Sequence, residues 1–148
     1  MDQLLLTIKQ EAEKLYLDSD FYCSEAVIAS IKKHIDPSIP EQIIATSSGF
    51  PVGIGGSFCV CGAVSGGVIM LGYYFGRTKP KDTKVQKAMA LSKELCSFFK
   101  EKNKVCCCSV LTKGMKLGSE EHRKQCATFT GDIAMKTAEI ILRERVIA

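Results

Sequence analysis

The chain has 148 residues, 46% of them hydrophobic and 24% charged, with a formal net charge of +4. That length fits one domain, residues 1–148, able to bury a core without disulfide staples. The lack of Trp, the 7% aromatic content and the scatter of the lysines exclude a stacking platform or basic groove for nucleic acid.

Leu4, Leu5, Ile8, Ala12, Leu15 and Tyr16 recur at helical spacing, with Lys9, Glu11, Glu13 and Lys14 largely between them, which predicts an amphipathic helix ending near Leu17. Asp2 and the charges at Lys9 and Glu11 are unlike a signal peptide, so a cytoplasmic location is expected. Asp18, Ser19 and Asp20 offer N-cap chemistry for a second helix over 21–35, closed by Lys32, Lys33, His34 and the Asp36-Pro37 step. Cys23 falls in its first turn. Pro40 and Glu41 open a short third helix that ends at Gly49.

Residues 49–76, GFPVGIGGSFCVCGAVSGGVIMLGYYFG, carry no charge and hold most of the chain's 12 glycines. A glycine-rich loop gives way to a helix marked by Val64, Val68, Leu71 and Phe75, with Cys61 at its entrance. The unpaired amides and positive dipole end there favour the thiolate, so Cys61 is the expected nucleophile or ligand. Gly62, Gly66, Gly67 and Gly72 remove side chains and invite close neighbours, which makes this helix the expected buried hub of a bundle. No GK[ST] follows GIGGS, against a phosphate loop. The stretch is long enough to cross a bilayer, but PVGIGGS is too glycine-rich for a lipid-exposed helix and the apolar part from Ala63 to Phe75 is too short, so no membrane span is expected.

Arg77–Lys81 is a polar turn. From Asp82 a long helix is predicted with Val85, Ala88, Met89, Leu91, Ser92, Leu95, Phe98 and Phe99 contributing apolar contacts and Cys96 as core filling. After Asn103-Lys104 comes a short helix containing Cys106, Cys107 and Cys108. Consecutive helical residues point about 100° apart, so only one of the three need serve a common site. Ser119 is the expected N-cap of the last helix, Gly131 interrupts its pattern, and Ile133, Ala134, Ala138, Ile141 and Leu142 resume it. With no alternating run, hairpin signal or repeat, the expected fold is an all-α single-domain bundle of about five to seven helices.

Eight cysteines in a chain read as cytoplasmic imply reduced thiols used for metal binding or redox chemistry. Cys23, Cys61, one of the triplet and Cys126 are each expected near a helix start. If those starts meet, the pocket could host a disulfide relay, a metal ion or an iron–sulfur cluster. His122 and Cys126, one turn apart, have a workable metal-ligand spacing, and a solvent-facing His122 beside a buried Cys126 is the plain alternative. Cys59-Val60-Cys61 is CxC rather than CxxC with no strand before it, so a thioredoxin fold is not indicated.

Cys61-Gly62-Ala63-Val64-Ser65-Gly66 matches a CGAxxG signature, and over almost its full length the chain resembles the C_GCAxxG_C_C family of small redox-active proteins. Cys23-Ser24-Glu25-Ala26-Val27 is similar to that family's early cysteine before an Ala-Val pair. Cys108, with Leu111 three residues on, resembles the third pattern cysteine, and Cys126 the fourth. The resemblance implies a helical redox protein, often encoded near transporter genes, so a transporter-associated redox partner is one expectation. Cys59, Cys96, Cys106 and Cys107 are additions to the pattern. Thiol–disulfide exchange is therefore expected, with Cys61 attacking and Cys23, Cys108 or Cys126 resolving. The alternatives are a metal or iron–sulfur module built on the same four cysteines, and a helical interaction protein whose cysteines are only core. Self-association into a homodimer stays open.

Overall fold

The computed structural model describes residues 1–147, with side chains through Arg145. Among the described residues the chain forms eight helical segments: α1 (Asp2–Leu17), α2 (Cys23–His34), α3 (Glu41–Thr46), α4 (Pro51–Ile54), α5 (Gly62–Phe75), α6 (Val85–Asn103), α7 (Cys108–Leu111) and α8 (Glu120–Ile147). Seven are right-handed and α4 is not, as described below. The only strand-like pairing among these residues is one antiparallel bridge between Val60 and Cys107. The all-α fold is as expected, and no described helix is long and apolar enough to cross a membrane.

The long helices pack because their apolar stripes coincide. Ile8 and Ala12 of α1, Val27 and Ile31 of α2, Met70 and Leu71 of α5, Leu95 and Phe99 of α6, and Ile133 and Ile141 of α8 share one core. Each large side chain withdrawn from water contributes roughly 1.5–3 kcal/mol, so the core needs no disulfide, and all eight cysteines are free. α8 lies along α1, α2, α5 and α6, and α5 lies on α2, α6 and α8.

The α5 glycines set these approaches by leaving space. A Cβ at Gly66 would stand 2.6 Å from the Ser24 carbonyl oxygen, and one at Gly67 2.6 Å from both Leu95 Cδ2 and Thr137 Oγ1. Gly66 thus lets α5 touch the backbone of α2 at the residue after Cys23. Gly72 faces open space and plays no such part.

Several local expectations are corrected. α2 starts at Cys23 with Tyr22 as its N-cap, whose N–H donates to Glu25 Oε1 at 3.0 Å; the Asp18–Asp20 run does not cap it. α6 starts at Val85 rather than Asp82. Ser119 does cap α8, its Oγ accepting the His122 N–H at 3.2 Å. Gly131 does not interrupt α8, which runs through it; a Cβ there would meet Glu13 Oε1 at 2.5 Å, so the glycine makes room for the carboxylate that pairs with Lys9. Beside it Asp132, 5% exposed, joins three helices by ion pairs to Lys9 of α1 at 2.8 Å and Lys102 of α6 at 2.9 Å.

Candidate functional site: a cavity lined by four thiols

The helix ends converge on one cavity of about 530 Å³. Its wall takes Tyr16 from the end of α1, Cys23 from α2, Val52 from α4, Cys61 before α5, Cys108 from α7, and His122 and Cys126 from α8. The four cysteines that match the pattern therefore share one space, and the four additional ones do not line it. Cys23 and Cys108 are the first residues of their helices, and Cys61 is the N-cap of α5. Cys126 departs from the expectation, because it lies well inside α8 rather than at its start.

Two backbone devices hold this arrangement. The first is α4, where Val52 (φ 55°, ψ 44°), Gly53 (φ 62°, ψ 57°), Ile54 (φ 67°) and Gly55 (φ 60°) form a left-handed turn. L-residues pay about 1–2 kcal/mol each for that conformation, most severely when β-branched like Val52 and Ile54. Only glycine fits position 53, where a Cβ would run into the Cys59 amide. The turn directs the Val52 amide at Cys23 Sγ. The second device is the bridge at Val60 and Cys107, in which the Cys61 N–H donates to the Cys106 carbonyl at 2.7 Å and the Cys108 N–H donates to the Cys59 carbonyl. It ties the strip carrying Cys61 to the strip carrying Cys108.

Gly62 leaves room directly after Cys61. A Cβ there would lie 2.5 Å from Cys23 Sγ and 3.0 Å from the Phe50 carbonyl oxygen. The missing side chain is the space that the Cys23 sulfur fills.

Electrostatics correct the expectation of a resting thiolate at Cys61. Burial pushes the Cys61 thiol well above the ordinary thiol range, and the neighbouring Cys23 adds to this; the Val64 and Ala63 amides at the start of α5 pull the other way and lose. Cys61 is 7% exposed. Cys23 is pushed up to about 12 by burial and then by Cys126, against the Ser24 and Val52 amides. Cys108 is raised by burial and by Cys107. Cys126 is pushed up to about 11 by burial, with the Tyr16 hydroxyl drawing it back. At neutral pH these four are thiols, because losing water costs the thiolate more than helix ends and amides return. Outside the cavity Cys107 behaves oppositely: its contact with Ser109 Oγ at 3.0 Å lowers it.

The spacing of His122 and Cys126 has a third meaning. His122 is 7% exposed and Cys126 half-buried, the reverse of a solvent-facing histidine beside a buried cysteine. His122 Nε2 lies 3.5 Å from Cys126 Sγ. Among the described residues no group of three or more His, Cys, Asp or Glu side chains is placed to hold a metal ion. Sequence reasoning missed Tyr16 and Val52. Tyr16 left a signal: a tyrosine among the apolar positions of a helix must find a partner for its hydroxyl once buried, and here that partner is Cys126. Nothing in the sequence announced a left-handed turn at Val52.

An all-α domain with four thiols lining one cavity is a cysteine-rich helical protein. Residues 21–140 match the family described as "Putative redox-active protein (C_GCAxxG_C_C)", and the chain belongs to that family. No curated protein and no solved structure matches it.

Proposed function

We propose that the protein carries out thiol–disulfide exchange, with Cys23, Cys61, Cys108 and Cys126 as the working thiols. The observation that supports this is their convergence, from four separate helical segments, on one cavity that excludes the other four cysteines. A neutral dithiol and a disulfide are both uncharged, so a site that has shed its water accepts both end states and disfavours only the thiolate between them. Two thiols give two electrons and two protons to an external disulfide, which leaves as two thiols while one S–S bond forms in the cavity. A redox partner restores the dithiol. Eight unpaired cysteines suit a reducing compartment such as the cytoplasm.

Serine variants test the reading. Cys61→Ser and Cys126→Ser should each lower the number of cavity thiols lost on incubation with oxidised glutathione, whereas Cys96→Ser should oxidise like the parent. Equal loss in all three variants would contradict it.

A further inference from the structure

The cavity treats its sulfurs unequally, and the difference lies in what stands beside Cys126. His122 Nδ1 accepts the Gly118 N–H at 3.2 Å. A ring nitrogen that accepts has no proton, so in the neutral imidazole the proton sits on Nε2. Burial keeps the ring neutral by lowering its pKa. The nitrogen carrying the proton is the one 3.5 Å from Cys126 Sγ. Gly118, at φ +83°, has the left-handed conformation that favours glycine and presents its amide to the ring, and the Ser119 cap fixes the His122 backbone. From across the cavity the Tyr16 hydroxyl also meets this sulfur. Cys61, by contrast, has only backbone amides as donors, with the Cys23 thiol beside it, and is more deeply buried.

We infer that His122 is a positioning residue which, locked by Gly118 as the Nε2–H tautomer, donates to Cys126 Sγ and makes Cys126 the sulfur at which an external low-molecular-weight disulfide is attacked. This rests on the exchange reading and replaces Cys61 as the point of attack. The Cys126 proton passes to solvent, and the thiolate attacks one sulfur of R–S–S–R. That S–S bond breaks, RS⁻ leaves and is protonated by solvent, and Cys126–S–S–R forms. A second cavity thiol, deprotonated in turn, attacks Cys126 Sγ and expels the other RS⁻; two electrons have then passed from protein to R–S–S–R. In the reverse direction Cys126 is the leaving group, and the Nε2–H stabilises the charge that lands on it. About 530 Å³ is room for a small disulfide rather than a folded partner.

The test uses the full chain in a Cys59→Ser/Cys107→Ser background, which removes two thiols outside the cavity. Brief exposure to oxidised glutathione, acid quenching and peptide mapping should find the first cavity adduct on Cys126. His122→Phe should slow that adduct about tenfold, the value of one hydrogen bond to a charged group, and His122→Gln, which keeps a donor, should restore most of the rate. ¹⁵N shifts of the parent's His122 should show a proton on Nε2 at pH 7, a readout that needs no variant to fold. A first adduct on Cys23, Cys61 or Cys108, an unchanged rate in folded His122→Phe, or the Nδ1–H tautomer would each overturn the inference while leaving exchange intact. If long incubation of the parent yields no disulfide among the four thiols, the exchange reading itself falls and this inference with it.

Discussion

Burial pushes the Cys126 thiol up to about 11, so its thiolate grows only as the solution becomes alkaline. Tyr16, Cys23, Cys108, His122 and Arg123 line the cavity with it. Alkylation by iodoacetamide follows the thiolate, so its rate at Cys126 should rise about tenfold per pH unit from 7 to 10 and level off above about 11. A rate already flat between pH 7 and 9, followed by mass spectrometry of the Cys126 peptide, would mean that burial does not control this sulfur. At this scale the sequence was half legible. CGAxxG and its companion cysteines named the four thiols, but the dipole argument for Cys61 erred, because a sequence shows where a helix begins and not how much water is lost there.

The glycine pattern of α5 becomes mechanical at the scale of elements. Gly66→Ala would press a methyl group into the Ser24 backbone, which has no side chain to rotate away, so α2 and α5 must separate. A loss of about 1–3 kcal/mol is expected in urea unfolding. Gly72→Ala on the same helix meets open space and should stabilise by roughly 0.5–1 kcal/mol. Equal effects of the two would contradict close packing as the role of Gly66. Helix identities were readable from apolar spacing, since α1, α5 and α8 appear where the pattern put them. Element ends were less so: Glu25 caps α2 from inside the helix, and Gly131, read as an interruption, is a notch for Glu13.

For the whole molecule, Asp132 shows how three helices of the bundle are clamped together. Burial alone would raise its pKa, yet Lys102 and Lys9 outweigh that and hold the carboxyl below its ordinary range. A lowered folded pKa contributes stability above the unfolded value of about 4, and this is lost as pH falls through the folded value. Asp132→Ala should therefore cost about 2 kcal/mol at pH 7, and the gap between variant and parent should shrink below about pH 4. A gap in thermal midpoint that stayed constant from pH 7 to pH 3 would rule the clamp out. The convergence of distant helix ends on one cavity could be supposed from the sequence but not read from it, because it depends on the left-handed turn at Val52 and on the pairing of Val60 with Cys107.

If the four thiols gathered in one cavity form a single redox unit, disulfide mapping of the full chain, equilibrated in glutathione buffers of graded potential, will show it. One disulfide joining two of Cys23, Cys61, Cys108 and Cys126, appearing in a single two-electron step, is the predicted result. Oxidation confined to Cys59, Cys96, Cys106 and Cys107, with the cavity thiols still reduced at the most oxidising potential, would contradict it.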